Sequence, residues 1–191
     1  MSIVYLHGFN SAPQSHKAQV MHRYMTERGL GARFVCPKLP HSPDDAIALV
    51  EREIAQHANE GVTLVGSSLG GFYATHLAEQ HGLRAALLNP AVRPGRDLES
   101  FLGMQRNLYT GEEYELTREH VSAWRRLDVA VVHPERYLLI VETGDEVLDY
   151  REAVARYAGA RQVIVAGGDH TLQSFPEHLP LILEFAGLPA R

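Results

Sequence analysis

Six short apolar runs that alternate with segments of helical periodicity constrain this chain more than any other feature. The runs are Ile3–Leu6, Ala32–Cys36, Val62–Val65, Ala85–Leu88, Tyr137–Val141 and Gln162–Val165. Each is almost continuously apolar, the pattern of a strand covered on both faces. Between them, Ser42-Pro43 with Asp45 reads as a capped helix start, and Ile47, Val50 and Ile54 follow at helical spacing. Phe72, Tyr73 and Leu77 mark a second helical stripe, and Tyr150, Ala153, Val154 and Tyr157 a third. Phe175, Leu179, Ile182 and Ala186 mark the last, with its start left open by Pro180. Strands joined by helical crossovers give a mainly parallel sheet with helices on both sides. The expected fold is therefore α/β, a three-layer α/β/α sandwich of about six strands. At 191 residues, one domain spanning 1–191 is expected.

The long departure from this rhythm runs from Asn89 to Pro134. It carries Pro90, Pro94, Gly95, Gly103 and Gly111, then a helical stretch around Glu119–Arg126. It is too long for a tight crossover and too short for a separate core. It reads as a cap-like insert at about 89–134, or as a long crossover containing one helix.

Composition narrows the partners. The 18 lysines and arginines stand against 23 aspartates and glutamates, and no basic stripe is present, so nucleic acid is not an expected partner. His120–Arg126 reads as a surface helix with Trp124 as its apolar anchor. The single cysteine, Cys36, excludes an internal disulfide, a two-cysteine redox motif and a multi-cysteine zinc site; it reads as a small buried hydrophobe. Met1–Gly8 has no basic and apolar signal pattern, and no apolar run approaches the roughly 18–20 residues of a membrane span. A cytoplasmic setting is expected.

The third run leads directly into Gly66-Ser67-Ser68-Leu69-Gly70, a G-x-S-x-G pattern, and a helical stripe follows. A serine at a sharp strand-to-helix turn projects its hydroxyl above the sheet. The helix start supplies amide hydrogens where oxyanion charge develops. Ser67 would need small residues at 65 and 69, which are Val65 and Leu69. Ser68 has Gly66 and Gly70, so Ser68 is the candidate nucleophile. The same glycines have the wrong spacing for a dinucleotide fingerprint, and no Gly-Lys-Ser/Thr run marks a P-loop. After the first run comes His7-Gly8-Phe9-Asn10. A tetrahedral oxyanion needs two converging donors. The backbone N–H groups of Phe9 and Leu69 are the candidates, with Gly8 permitting close approach and His7 organising the loop.

Serine attack needs a neutral imidazole as base and a carboxylate to orient it. Thr143-Gly144-Asp145-Glu146 follows the fifth run and Gly167-Gly168-Asp169-His170 the sixth. Both loops leave the carboxyl edge of the sheet, where a doubly wound fold gathers its ligand-facing loops. His170 is the candidate base. Asp145, directly after its strand, is preferred as the acid to Asp149, which reads as the cap of the following helix. Asp169 is assigned a turn or salt-bridge role and Glu146 a solvated one. His16, His22, His57, His76, His81 and His178 fall in amphipathic helical stretches, and His41, His120 and His133 in turns or the insert. No H-E-x-x-H or other coordinating spacing occurs, so no metal is expected.

Taken in order, these stretches resemble the α/β-hydrolase superfamily and, more narrowly, the small bacterial YqiA-like esterases. The matching segments are Tyr5–Ser11, Val65–Ala74, Asn89–Pro94, Gln105–Gly111, Thr143–Arg151 and Gly167–His170. The resemblance implies a serine esterase acting on carboxylic esters, with acyl-CoA thioesters as a further substrate class and no cofactor. Its nucleophile, acid and base fall on Ser68, Asp145 and His170, and an acyl-enzyme lies between two steps. It also implies a sheet lacking the first two of the usual eight strands, in the spatial order 2-1-3-4-5-6. His170-Thr171-Leu172 departs from the Asn-His-Ala arrangement of relatives, a change that bears on how the histidine packs. Leu98, Phe101, Leu102, Met104, Leu108, Tyr109 and Trp124 form either an acyl-binding wall or the core of the insert. A non-catalytic interaction protein, or a peptidase or carbon–carbon hydrolase, would use the same scaffold.

Overall fold

A computed structural model describes residues 1–189. β1 (Ser2–Leu6) leads to α1 (His16–Thr26), β2 (Phe34–Val35) to α2 (Pro43–Gln56), and β3 (Val62–Ser67) to α3 (Leu69–His81). After β4 (Arg84–Leu88) come the short α4 (Pro94–Asp97), strands β5 (Gly103–Arg106) and β6 (Glu113–Leu116), and α5 (Arg118–Leu127). The remaining elements are β7 (Tyr137–Glu142), α6 (Tyr150–Arg156), β8 (Arg161–Val165) and α7 (Phe175–Phe185).

Among the described residues the main sheet has six strands in the order β2-β1-β3-β4-β7-β8, every neighbouring pair parallel. This is the expected order. The chain builds outward from β1 to β2, then crosses to β3 on the other side, so loops on that edge diverge between β1 and β3. Register places the carboxyl ends side by side: Leu6 pairs with Gly66, Ser67 with Leu88, and Glu142 with Val165.

The uninterrupted apolar runs follow from cover on both faces. Along β1, Val4 and Leu6 enter one layer while Ile3 and Tyr5 enter the other. Leu64, Leu87 and Leu139 join the first layer under α2, α3, α5 and α6; Val65, Leu88 and Ile140 join the second under α1 and α7. Alternating strand residues thus both face helices. The start of α2 is capped as expected, with the Ser42 hydroxyl accepting from the Asp45 N–H at 3.4 Å.

Local details differ from the sequence pattern. The second run supplies only a two-residue strand, because Gly31–Arg33 turns as a 3₁₀ helix before β2. α7 begins at Phe175 and continues through Pro180, whose missing N–H removes one internal bond, while Phe175, Leu179, Ile182 and Ala186 keep their buried register. Cys36 is half-buried beside the second layer, and burial pushes its thiol pKa up to about 12.

Residues 89–134 contain an antiparallel hairpin that the apolar pattern does not mark. β5 and β6 pair Gly103 with Leu116 and Arg106 with Glu113. The hairpin is bonded to the loop after β1. Asn10 donates from Nδ2 to Gln105 Oε1 at 3.1 Å and accepts at Oδ1 from the Tyr114 hydroxyl at 2.8 Å. The Leu108 N–H donates to the Asn10 carbonyl at 2.9 Å, and Asn107 Nδ2 to the Ser11 carbonyl at 2.7 Å. α5 buries Val121 and Ala123 besides Trp124, whose indole N–H donates to the Tyr73 hydroxyl at 2.8 Å. Leu98 and Leu102 pack against the first layer, while Phe101, Met104, Leu108 and Tyr109 are exposed.

The two environments have different energetic weight. Leu87→Ala, in the centre of β4, should lower the unfolding free energy measured in urea by about 2–5 kcal/mol, because a buried cavity is left. Leu108→Ala, at a side chain 81% exposed, should change it by no more than about 0.5 kcal/mol.

Candidate active site

β3 ends at Ser67 and α3 begins at Leu69, which leaves Ser68 alone to make the turn, at φ 54° and ψ −121°. A non-glycine residue in this sector is strained and must be held by its surroundings. The Ser68 N–H donates to the Leu88 carbonyl at 3.0 Å; its own carbonyl accepts from Gly71 at 2.9 Å and Ala91 at 3.0 Å. Gly66 and Gly70 make the turn sterically feasible. A Cβ at Gly66 would run into the Gly70–Gly71 backbone, and one at Gly70 into the Leu6 carbonyl. Gly8 is tight but less so, since a Cβ there would sit 3.2 Å from that of Ser68.

The loops after β7 and β8 bring two more side chains to this serine. His170 Nε2 lies 3.0 Å from Ser68 Oγ, and His170 Nδ1 lies 2.8 Å and 3.0 Å from the two oxygens of Asp145. An ionised carboxylate only accepts, so Nδ1 carries the proton and Nε2 is the acceptor toward the hydroxyl. Asp145 is 2% exposed at its side chain. Burial raises its pKa, but hydrogen bonds from His170 and the Leu148 and Val147 amides, with the attraction of the imidazole, more than compensate and hold it below the ordinary value. Asp149 is not part of this line. It is exposed and caps α6, accepting from the Arg151 N–H at 3.0 Å.

The first loop lies against the same serine. Gly8 and Phe9 line a cleft of about 250 Å³ together with Ser68 and His170. The Phe9 ring packs edge-on against Phe101 and Trp124, with centroids 6.2 Å and 6.5 Å away. Neither the Phe9 nor the Leu69 N–H has a protein acceptor among the described residues. His7 is buried and bridges loops: its Nε2 accepts from the Leu39 N–H at 3.1 Å, so Nδ1 carries the proton and donates to the Gly8 carbonyl at 3.2 Å. Burial pushes its pKa down to about 4, in keeping with a neutral ring.

Among the described residues, no cluster of three or more His, Cys, Asp or Glu is arranged to hold a metal ion, and no helix is long and apolar enough to cross a membrane.

The sequence model of an uncharacterised protein family, UPF0227, matches residues 2–187. The chain belongs to the UPF0227 family. A UPF0227 protein of Serratia proteamaculans (strain 568) is 24% identical over 98% of this chain and 99% of its own length. Among solved structures, the α/β-hydrolase domain-containing protein 10 from mouse superposes with a TM-score of 0.74 at 14% identity, covering 97% of this chain and 89% of that one. Est1E from Butyrivibrio proteoclasticus gives 0.72 at 14% identity, covering 97% and 88%. These likenesses establish that the UPF0227 chain has an α/β-hydrolase-like fold.

Two polar residues that sequence reasoning missed support the histidine loop of this UPF0227 member. Glu142, the last residue of β7, is buried, and accepts from the backbone N–H groups of Asp169 at 2.8 Å, Gln173 at 3.1 Å and Ser174 at 2.8 Å. Burial raises its pKa, but these bonds and one from the Ser174 side chain hold it below the usual range. Asn89, at φ 40°, accepts at Oδ1 from the Glu142 N–H at 3.0 Å and donates from Nδ2 to the carbonyls of Asp169 and His170 at 3.0 Å and 3.3 Å. The sequence signals are a charged residue ending an otherwise apolar strand and Asn89 opening the matched segment Asn89–Pro94. Asp169 makes the expected turn, accepting from the Thr171 N–H at 2.8 Å and from Gln173 Nε2 at 2.7 Å. Glu146 is exposed but not merely solvated, since it accepts from the His170 N–H at 3.0 Å.

Both Glu142 and Asp145 have depressed folded pKa values, so their stabilisation is complete above the ordinary carboxylate range. It is lost as pH falls through that range to the folded values. Urea unfolding should therefore show stability dropping below about pH 4. Glu142→Gln should cost about 1–3 kcal/mol at pH 7 and flatten that acid limb.

Proposed function

We propose that this UPF0227 chain is a serine hydrolase that cleaves carboxylic esters, and thioesters by the same steps, as its resemblance to the YqiA-like esterases implies. The observation that carries the reading is the continuous line from Asp145 through His170 to Ser68, with contacts of 2.8 Å and 3.0 Å, at a strained strand-to-helix turn. In this reading Ser68 Oγ attacks the acyl carbonyl while His170 Nε2 takes its proton. Asp145 stabilises the resulting imidazolium without itself becoming protonated. The Phe9 and Leu69 amides, which lack protein acceptors among the described residues, receive the oxyanion, and Gly66, Gly70 and Gly8 keep them close to the serine. The tetrahedral intermediate collapses as His170 returns the proton to the leaving oxygen or sulfur. Water then attacks the acyl-enzyme, with His170 acting first as base and then as acid, and the carboxylic acid departs. Residues 89–134 act as a cap-like insert, with Leu108 and Tyr109 on the cleft wall as the contact for the acyl group.

A fluorophosphonate should label the protein at Ser68, and Ser68→Ala should abolish labelling while the far-ultraviolet circular dichroism stays that of the parent. Turnover of 4-nitrophenyl butyrate should fall about 10⁴-fold or more in this variant. A folded Ser68→Ala protein with parental turnover would overturn the assignment. Asp145→Asn should slow the same ester by about 10⁴-fold through loss of the correct tautomer. Asp149→Asn should leave the rate within about threefold, since its side chain acts on α6 alone; the opposite ranking would move the acid to Asp149.

A further inference from the structure

We propose that the N-terminus of α1 forms an anion-binding subsite beside Ser68 that selects esters or thioesters bearing a carboxylate or phosphate group. The inference rests on the hydrolase reading above and adds a substrate class to it. The cleft that contains Ser68 and His170 is also lined by Ser11, Ser15, His16 and Lys17. Ser15 occupies the N-cap position of α1, a helix of 11 residues. An N-cap serine ordinarily accepts from an amide of the first turn. Here the Ser15 side chain makes no capping bond and has no partner among the described residues, although the residue is only 8% exposed. Ser15 is part of the cleft wall, and its hydroxyl is left free for a ligand there.

The helix end behind it is equally unsatisfied. The first bond into α1 runs from the Gln19 N–H to the Ser15 carbonyl at 3.0 Å, so the amides of His16, Lys17 and Ala18 precede it. The first turn has no acidic residue to oppose the positive end of the helix. Lys17 adds a full charge. Its Nζ donates one bond, to the Thr171 carbonyl at 2.9 Å, and keeps two hydrogens for another acceptor. Burial lowers its pKa to about 8 against the attraction of Asp169, Asp145 and Glu142. Those carboxylates are already committed: Asp145 to His170, Asp169 to Thr171 and Gln173, and Glu142 to backbone amides. Among the described residues, no aspartate or glutamate lines the cleft itself. Ser15, the first turn of α1 and Lys17 therefore lie on the wall of the cleft that holds the nucleophile, where a substrate anion would meet them.

Two esters that differ only in their terminal group, 4-nitrophenyl butyrate and 4-nitrophenyl hydrogen succinate, read this subsite in turnover. The ratio of kcat/KM for the succinate over the butyrate should fall about tenfold in Lys17→Met and about threefold in Ser15→Ala, chiefly through KM. Lys17→Arg should retain most of the ratio. Equal losses with both esters would overturn the subsite and leave Lys17 as a tie to the Thr171 loop. Titration calorimetry on Ser68→Ala, with monomethyl succinate and methyl phosphate, distinguishes carboxylate from phosphate without turnover. Saturable binding of either, lost when Lys17→Met is added, supports the subsite. Absence of both overturns it even if the parent cleaves the neutral ester. Anion binding without turnover of any ester would instead sink the hydrolase reading and leave the anion site standing.

Discussion

Backbone-on-backbone packing at the carboxyl edge of the sheet is the constraint on which the site depends. α3 can rise directly from β3 only because Gly70 passes against the Leu6 carbonyl and Gly66 against Gly70 and Gly71. That approach drives Ser68 to φ 54°, a conformation that costs about 1–3 kcal/mol and persists only under external restraint. The restraint is local: β4 supplies the Leu88 acceptor, and the Ser68 carbonyl is held from two sides. A side chain at Gly70 would press α3 away from β1, and one at Gly66 would press it away from β3.

The opposing half of the site is held by buried polar bonds. The loop carrying His170 has no regular structure of its own, so its backbone groups need partners from outside it. Glu142 and Asn89, at the ends of two neighbouring strands, supply them. A rigid sheet edge thus transmits its geometry to a loop through hydrogen bonds, while the glycine turn transmits it through contact. Residues 89–134 add a third restraint. The β5–β6 hairpin in this segment is bonded to Asn10 and Ser11, and Phe101 and Trp124 meet the Phe9 ring. It is therefore structurally continuous with the loop that carries the Phe9 amide.

Much of this architecture is legible in the sequence. Runs such as Ala85–Leu88 are apolar at every position because both faces of β4 are covered, and that pattern specifies the layers. The sizes of its neighbours distinguish Ser68 from Ser67, a steric criterion that needs only sequence. The β5–β6 hairpin is not legible, because its strands carry mixed polar residues and its anchoring bonds run to Asn10 and Ser11, far away in the chain. The buried carboxylate of Glu142 was hidden for a related reason: nothing in its neighbourhood in sequence announces three amide donors from residues 169–174.

By itself, the sequence determined the layered parallel sheet, the strand-to-helix turn at Ser68 and the identity of the side chains available to meet it. These depend on periodicity and on steric size over a few residues, which are local properties of a chain. The tertiary structure alone decided that the histidine loop stands on Glu142 and Asn89, and that the uncapped start of α1 lines the same cleft. Those outcomes depend on distances between segments far apart in sequence, and only the closed sheet sets them.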